Sequence, residues 1–382
     1  MDITTPSFDS GLVTLRRRLH STPELSGVEQ GTARLLHEWL KSTTPDQVIE
    51  GLGGHGLALV YDSGRPGPSV MFRAELDALP IAEKRSILHA SRRAGIAHLC
   101  GHDGHMTILA GLAQKISGNR PVRGRVVLLF QPAEETGAGA RAVLADPRFA
   151  SIRPDWAFAL HNMPGLALGQ IAVAPGPASC ASVGLHMRWQ GREAHAGSPE
   201  TGLSPATALS AFVQSLAPFT APGPVDADFR LATLCHLSMG ARAFGVAPGQ
   251  AEAMVTLRTV TDAALESFET EIRAQAQADA GALTLEITRH DHFNATINAP
   301  EASAHVTRAS KTLGMDQGGF ILPMRASEDF GAFSATTRTA LFFLGAGESH
   351  PALHDPEYDF PDDLIAPGVA LFSQILTEVM SA

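Results

Sequence analysis

The stretch Cys100-Gly101-His102-Asp103-Gly104-His105 puts a thiol, two imidazoles and a carboxylate together immediately ahead of an apolar run. Side chains of these types are metal ligands: imidazole suits zinc, manganese and similar ions, thiolate favours softer ones, and carboxylates add charge. Read alone, the stretch fits equally a thiol nucleophile with its base, or a buried thiol beside solvated histidines. Metal is favoured by a second cluster, Gln131-Pro132-Ala133-Glu134-Glu135, and by two further histidines, His161 and His354, each at the end of an apolar run.

Cys100, His102, Glu135, His161 and His354 form a mixed ligand set larger than one catalytic ion takes, since zinc usually binds three protein ligands and a water. Two ions about 3.5 to 4 Å apart share a bridging ligand and a bridging water, lower that water's pKa toward about 7 and polarise the carbonyl it attacks. Glu134 and Glu135 are neighbours on a loop and point differently. One can bind metal while the other moves a proton from the water to a leaving amine, and spacing does not say which. The rival, Cys100 as nucleophile with His102 as base, is disfavoured because residues two apart rarely reach the required geometry. A metal-free binding protein is disfavoured by the intact ligand set.

These side chains need a scaffold. Leu57 to Tyr61 and Ser69 to Arg73 read as short strands joined by a Gly/Pro turn, and Arg125 to Phe130, Trp156 to Leu160 and Ala340 to Leu344 as further strands. Met106, Leu109, Leu112, Ala113 and Ile116 fall at helical spacing, so the Cys100 motif opens a helix. Strands alternating with helices predict an α/β layer with a mostly parallel sheet. Ligands in such layers bind beyond the carboxyl ends of the strands, where Asp77, Glu134, Glu135 and His161 each follow an apolar run.

The middle of the chain differs. Val183 to Trp189, a helix over about Pro205 to Leu216, Ala251 to Val260, a helix over Asp262 to Ala280 and a strand over Leu283 to Thr288 predict a self-sufficient α+β domain. The expected organisation is a two-domain α/β protein, with a catalytic domain in two parts, 1–181 and 293–382, and a smaller inserted domain over 182–292. A chain of 382 residues is long enough for two cores.

Composition narrows the partners. Hydrophobic residues make up 44% and charged ones 18%, as in compact globular proteins. With 39 acidic against 29 basic residues the formal charge is -10, which argues against nucleic acid as a partner. No window of about 18 uninterrupted apolar residues predicts a membrane span. Met1 to Leu19 carries Asp2, Asp9 and Arg16 to Arg18 without an apolar h-region, so a cytoplasmic protein is expected. Cys100, Cys180 and Cys235 are an odd number in a long chain, which predicts reduced thiols, with Cys180 and Cys235 as buried fillers. Asp103 and Asp329 are expected to accept the second N–H of ligating histidines. The remaining histidines, His20, His98 and His105 among them, are expected at the surface or behind the ligands.

Arg18-Leu19-His20-Ser21-Thr22-Pro23-Glu24-Leu25-Ser26, Arg73-Ala74-Glu75-Leu76-Asp77-Ala78-Leu79-Pro80, the Cys100 motif, Phe130-Gln131-Pro132-Ala133-Glu134-Glu135, Leu160-His161-Asn162, Ser327-Glu328-Asp329-Phe330 and Leu353-His354-Asp355-Pro356 resemble the M20 metallopeptidase family. The likeness is to the amidohydrolase branch with hippurate hydrolases, aminoacylases and plant hydrolases of indoleacetyl amino acids, and it runs over about residues 15 to 365. The resemblance implies Cys100 as the ligand shared by two ions, with His102 and His161 on one ion and Glu135 and His354 on the other. It implies Glu134 as general base and acid, supported by Asp77. It further implies a lid domain that forms a homodimer contact and carries His195, which polarises the substrate. Arg258 is expected either to hold the substrate's carboxylate or to pair with a lid acid.

Three positions depart from the family pattern: Glu75 stands where Asp is usual, Gly245 where an Asn precedes Val-x-Pro, and Glu200 where a His is frequent. The function expected is a metal-dependent amidohydrolase with two divalent ions, Mn2+ or Zn2+ with Ni2+ or Co2+ as substitutes, acting on small N-acyl amino acids or related conjugates. The alternative is a small-peptide metallopeptidase.

Overall fold

A computed structural model describes residues 8–221 and 223–381, so Asp2 lies outside the described residues, as does the side chain of Asp9. The chain forms two compact units. One takes the described residues up to Ala178, Thr296–Leu322 and those from Glu328 on, and the other takes Ser179–Ala295 and Pro323–Ser327.

The first unit contains β1 (Gln47–Leu52), β2 (Gly56–Asp62), β3 (Ser69–Glu75), β4 (Arg125–Gln131), β5 (Trp156–Pro164), β6 (Ile171–Ala172), β7 (Gly176–Ser179), and, after the second unit, β14 (Thr296–Asn298) and β15 (Arg338–Gly347). Seven of these make one sheet in the order β1-β2-β4-β3-β5-β15-β6. The pairs β3·β4, β3·β5 and β5·β15 are parallel, while β1·β2, β2·β4 and β6·β15 are antiparallel. The sheet is therefore mixed, and the expected mostly parallel arrangement is confined to its four central strands. The two strands on either side of the Gly/Pro turn are not neighbours, because β4 lies between them.

Central strands buried on both faces read as apolar runs, such as Val70-Met71-Phe72 and Val126 to Phe130, each buried throughout. Phe72 stacks on Phe158 with ring centroids 5.6 Å apart, and each such buried side chain stabilises the fold by roughly 1.5–3 kcal/mol. Helices α1 (Phe8–Ser21), α2 (Gln30–Leu40), α3 (His102–Gly118), α4 (Gly139–Ala145), α7 (Pro300–Thr312) and α8 (Ile365–Ser381) complete this unit. The segment Asp362–Ser381 is long and apolar enough, by length and composition alone, to cross a membrane. Its Ile365, Val369, Leu371, Phe372 and Ile375 are buried in the same core as the sheet.

The second unit has β8 (Ala181–Gln190), β9 (Ala194–His195), α5 (Ala206–Ser215), β10 (Arg230–Met239), β11 (Val246–Ala247), β12 (Gln250–Thr259), α6 (Asp262–Ala280) and β13 (Thr284–Phe293). Four strands pair antiparallel in the order β10-β12-β8-β13. On β8, Ala181, Val183, Leu185, Met187 and Trp189 alternate onto the core side with Phe212 of α5 and Phe268 of α6. Strand β10 escapes the sequence pattern. It is an edge strand with a register shift between Leu234 and His236, and most of its side chains meet solvent. Cys235 lies at that shift and is exposed, contrary to its expected burial, whereas Cys180 is buried.

Candidate metal centre

The site grows from the carboxyl ends of parallel strands. Past β3, Asp77 is fully buried; past β4, the loop runs through Ala133, Glu134 and Glu135; and β5 carries His161. The expectation that His161 follows its strand is corrected, since β5 continues to Pro164. Cys100 and His102 flank Gly101, whose φ of +92° starts α3. A Cβ at Gly101 would stand 2.2 Å from the Asn162 side-chain oxygen, so only glycine lets the motif approach β5 this closely.

Of the four non-glycine residues with positive φ among the described residues, two belong here, Ala133 at 51° and His354 at 68°. Left-handed backbone of that kind costs on the order of 1–3 kcal/mol and persists where surrounding contacts force it. The Ala133 N–H is fixed by Glu29 Oε1 at 2.7 Å, and the His354 N–H by the Leu99 carbonyl at 2.8 Å.

The ligand types converge. One candidate ligand atom from each of Cys100, His102 and His161 lies within 4.8 Å of the others, and the same holds for Cys100, Glu135 and His354 and for His102, Glu134 and Glu135. Cys100 Sγ is 3.5 Å from His161 Nε2, and Glu135 lies 3.8 Å from His102 Nε2 and 3.7 Å from His354 Nε2. All the sequence-predicted ligands thus fall in one cluster. Two of the candidate ligand imidazoles are oriented by backbone carbonyls: His102 Nδ1 meets Asp77 O at 2.9 Å and His161 Nδ1 meets Asn162 O at 2.7 Å. Each Nδ1 therefore donates its proton there and leaves the Nε2 lone pair aimed into the cluster. That job does not fall to Asp103 or Asp329. Asp103 accepts from His20 and Arg16, and Asp329 from Arg73 and Gln131.

The donor set fits a cation. Among the described residues His102 Nε2 and Glu135 Oε1 are buried without a hydrogen-bond partner, which is costly in any interior unless a ligand completes them. Burial and the neighbouring Glu135 push the Cys100 thiol well above its ordinary value. Such a thiol lacks the lowered pKa of a nucleophile, while a bound cation would deprotonate it outright. Burial, with Asp77 adding to it, raises Glu135 to about 7. Burial holds His161 neutral, down to about 3, and lowers His354 too. Glu134 is raised well above the usual carboxylate range by burial first and then by Glu328 and Glu135.

Asp77 stands behind the candidate ligands. Its Oδ2 accepts from Ser26 Oγ at 2.7 Å and from the Glu135 N–H at 2.9 Å, so it fixes the glutamate loop as well as His102. Glu134 Oε1 accepts from the Asp329 N–H at 3.4 Å, and Glu134 Oε2 lies 3.9 Å from His102 Nε2.

Sequence reasoning passed over three buried residues. His105, one turn after His102 on the same helix face, contacts Glu75 at 2.7 Å and Asn162 at 2.6 Å, and its ring meets His161 edge-on at 4.8 Å between centroids. The spacing of three from His102 was the available signal. His20 sits between Asp103 at 2.8 Å and Glu83 at 3.3 Å, and Arg16, 1% exposed, binds Asp103, Asp359 and Asp362.

His195 and Arg258 belong to the second unit. His195 is exposed, and its Nδ1 accepts from the Gly197 N–H at 3.0 Å. Arg258 donates to Ser327 Oγ at 2.8 Å and to the Arg325 carbonyl at 3.2 Å. Among the described residues no acid pairs with it, and burial lowers its pKa.

Residues 71–378 match the family model described as Peptidase family M20/M25/M40, and the chain belongs to that family. It is a hydrolase acting on amide bonds. Hippurate hydrolase of Campylobacter jejuni is 28% identical over 365 residues, spanning 94% of each chain. N-acetyl-L-cysteine deacetylase of Bacillus subtilis is 29% identical over 369 residues, spanning 94% of this chain and 86% of that one. The fold is shared with a Bacillus subtilis protein solved as a dinuclear metal binding peptidase from the M20 family, with a TM-score of 0.82, 24% identity and coverage of 98% and 99%.

Proposed function

We propose that this chain is a dinuclear metal-dependent deacylase that hydrolyses the amide of small N-acyl amino acids or related conjugates. The observation that carries the reading is the convergence of His102 Nε2 and Glu135 Oε1, both buried and unpartnered, on the thiol of Cys100. Cys100, His102 and His161 would hold one divalent ion, and Cys100, Glu135 and His354 the other. Manganese or zinc suits the donors best, with nickel or cobalt as substitutes. When bound, the pair would lower the pKa of a water between them toward about 7 and polarise the scissile carbonyl.

The protein's own part begins with Glu134. Its Oε1 is held by the Asp329 N–H, so Oε2 is the oxygen free to take a proton from the attacking water, once bound cations offset the burial and neighbouring acids that favour its neutral form. A bond forms between that water's oxygen and the acyl carbon. When the carbon–nitrogen bond breaks, Glu134 returns the proton to the departing amine, leaving a free acid and an amino acid. Asp77 keeps the Glu135 loop and His102 in register throughout. His195 is the candidate to stabilise the developing oxyanion. Arg258, half-buried and without a carboxylate partner among the described residues, is the candidate for the substrate's carboxylate. The unit containing both is proposed as lid and homodimer contact, and the three unpaired cysteines suit a reducing cytoplasmic setting.

N-acetyl and N-benzoyl amino acids and dipeptides, assayed in parallel with and without added Mn2+ or Zn2+, test this reading. Metal-dependent cleavage of the acyl amino acids is expected; cleavage of dipeptides alone would turn the reading to a small-peptide metallopeptidase, and metal-independent turnover would end it.

A further inference from the structure

Arg73 is fully buried on β3, and its guanidinium is spent entirely on other buried groups. Its Nε donates to Gln131 Oε1 at 3.0 Å, one terminal nitrogen hydrogen-bonds Glu75, and the other lies 2.6 Å from Asp329 and 2.9 Å from Glu328. A guanidinium suits this task because its donors leave in fixed directions in one plane. Burial alone would lower its pKa, but Glu328 and Glu75 outweigh that and keep it charged.

Two chains of contacts leave this hub. One runs through Asp329, whose carboxylate also accepts from Gln131 Nε2 at 2.8 Å and from the Ala140 N–H at 2.8 Å, and whose own N–H reaches Glu134. The other runs through Glu75. Its second oxygen takes His105 Nδ1 at 2.7 Å, and His105 passes the contact to Asn162, the residue after His161. Glu75 is thus shared between Arg73 and His105, with one oxygen for each. An aspartate at this place would be shorter by a methylene and would have to release one of them.

We propose that Arg73 is a positioning residue for both halves of the reaction centre: through Asp329 it aims Glu134, and through Glu75 and His105 it aims His161. The inference rests on the proposed dinuclear reading. Its consequence is a separation of effects, because the two chains end on different groups. Damage to the Glu75 branch lowers affinity for an ion, whereas damage to the Asp329 branch lowers turnover with the ions in place.

The test titrates chelator-stripped protein with Mn2+ by calorimetry and then measures kcat and KM on an N-acyl amino acid, for the wild type, Glu75→Gln, Glu75→Asp and Asp329→Asn. Glu75→Gln is expected to weaken one ion about 10- to 100-fold and leave the other within about threefold, with Glu75→Asp between it and wild type. Asp329→Asn is expected to leave both affinities unchanged and cut kcat about 10- to 100-fold at constant KM. If Glu75→Gln leaves both ions at wild-type affinity, or weakens both alike in step with a fall in Tm, the positioning role is wrong. If the wild type itself takes up no Mn2+, the dinuclear reading fails and this inference with it; normal wild-type binding with indifferent variants overturns only the inference.

Discussion

His161 and His195 are assigned to the same reaction, yet the protein treats them in opposite ways. His161 is buried on β5, its Nδ1 tied to the Asn162 carbonyl and its ring packed edge-on against His105. His195 stands exposed on a two-residue strand paired with Val246, its ring accepting from the N–H of Gly197, two residues on. In the first unit the chemistry is preorganised: orientation is fixed by carbonyls, a required glycine and strained backbone at Ala133 and His354. In the second, the polar groups proposed to meet the substrate are held loosely or, like Arg258, lack a counter-charge among the described residues. On the proposed reading this is a division of labour, with candidate ligand geometry built into a strand-end platform and recognition left to groups that a substrate would complete.

The sharpest way to break this comparison is at Glu134. Glu134→Ala should cut kcat about 10²- to 10⁴-fold while metal content stays near that of the wild type by elemental analysis. Loss of metal together with activity would make Glu134 a ligand and blur the division. Next in size, Gly101→Ala should abolish ion binding or folding, read by calorimetry and circular dichroism. Its new methyl would collide with Asn162, and alanine disfavours the left-handed φ. An alanine variant that binds metal like the parent would show that the platform is less rigid than described.

On the other side of the comparison, His195→Ala should lower kcat about 10²- to 10³-fold with Tm and metal affinity unchanged. An exposed histidine can be removed without disturbing the fold, so any fall in Tm would contradict its loose attachment. Arg258→Ala should act on KM more than on kcat, raising it about tenfold or more for acyl amino acids and far less for substrates lacking the carboxylate. Arg258→Lys should rescue only in part, since lysine lacks the planar fork. An equal effect on both substrate types would remove the carboxylate from the argument.

The smallest expected effect is on stability. Burial alone would lower the pKa of His20, but Asp103 and Glu83 outweigh it and raise it from 6.5 to about 9. A raised folded-state pKa means that the stabilisation is fully present below pH 6.5 and is lost as pH climbs through about 9. Chelated wild-type protein should therefore lose on the order of 3 kcal/mol between pH 6 and 10 from this source, and His20→Gln should flatten that fall. Parallel Tm profiles for the two proteins would deny His20 its charge.

Much of this was legible in the sequence because ligand chemistry is local. Cys100, His102, Glu135, His161 and His354 stand out as candidate ligands by residue type, with Cys100 and His102 just ahead of an apolar helix. What escaped was set by three-dimensional pairing. No pattern says that a backbone carbonyl of Asp77 or Asn162, rather than Asp103 or Asp329, takes the proton of a candidate ligand histidine. Strand β10 was missed because an edge strand facing solvent lacks the alternation that marks its neighbour β12. The mixed character of the sheet was hidden for a related reason: the apolar runs of β2 and β4 are alike whichever way they pair, and chain direction in the sheet is decided by connections. Arg73 reads as one more charged residue in a strand until Glu75, Gln131 and Asp329 are seen around it.

Two cations held by five side chains are the centre of the proposed reaction. Elemental analysis of purified protein, combined with hydrolysis of N-acetyl amino acids during stepwise chelation and Mn2+ or Zn2+ return, measures that directly. Two ions per chain in the wild type, activity that falls and recovers with them, and a Cys100→Ala variant that holds fewer than two are the predicted results. Full activity after exhaustive chelation, or a Cys100→Ala protein that still binds two ions, would contradict it.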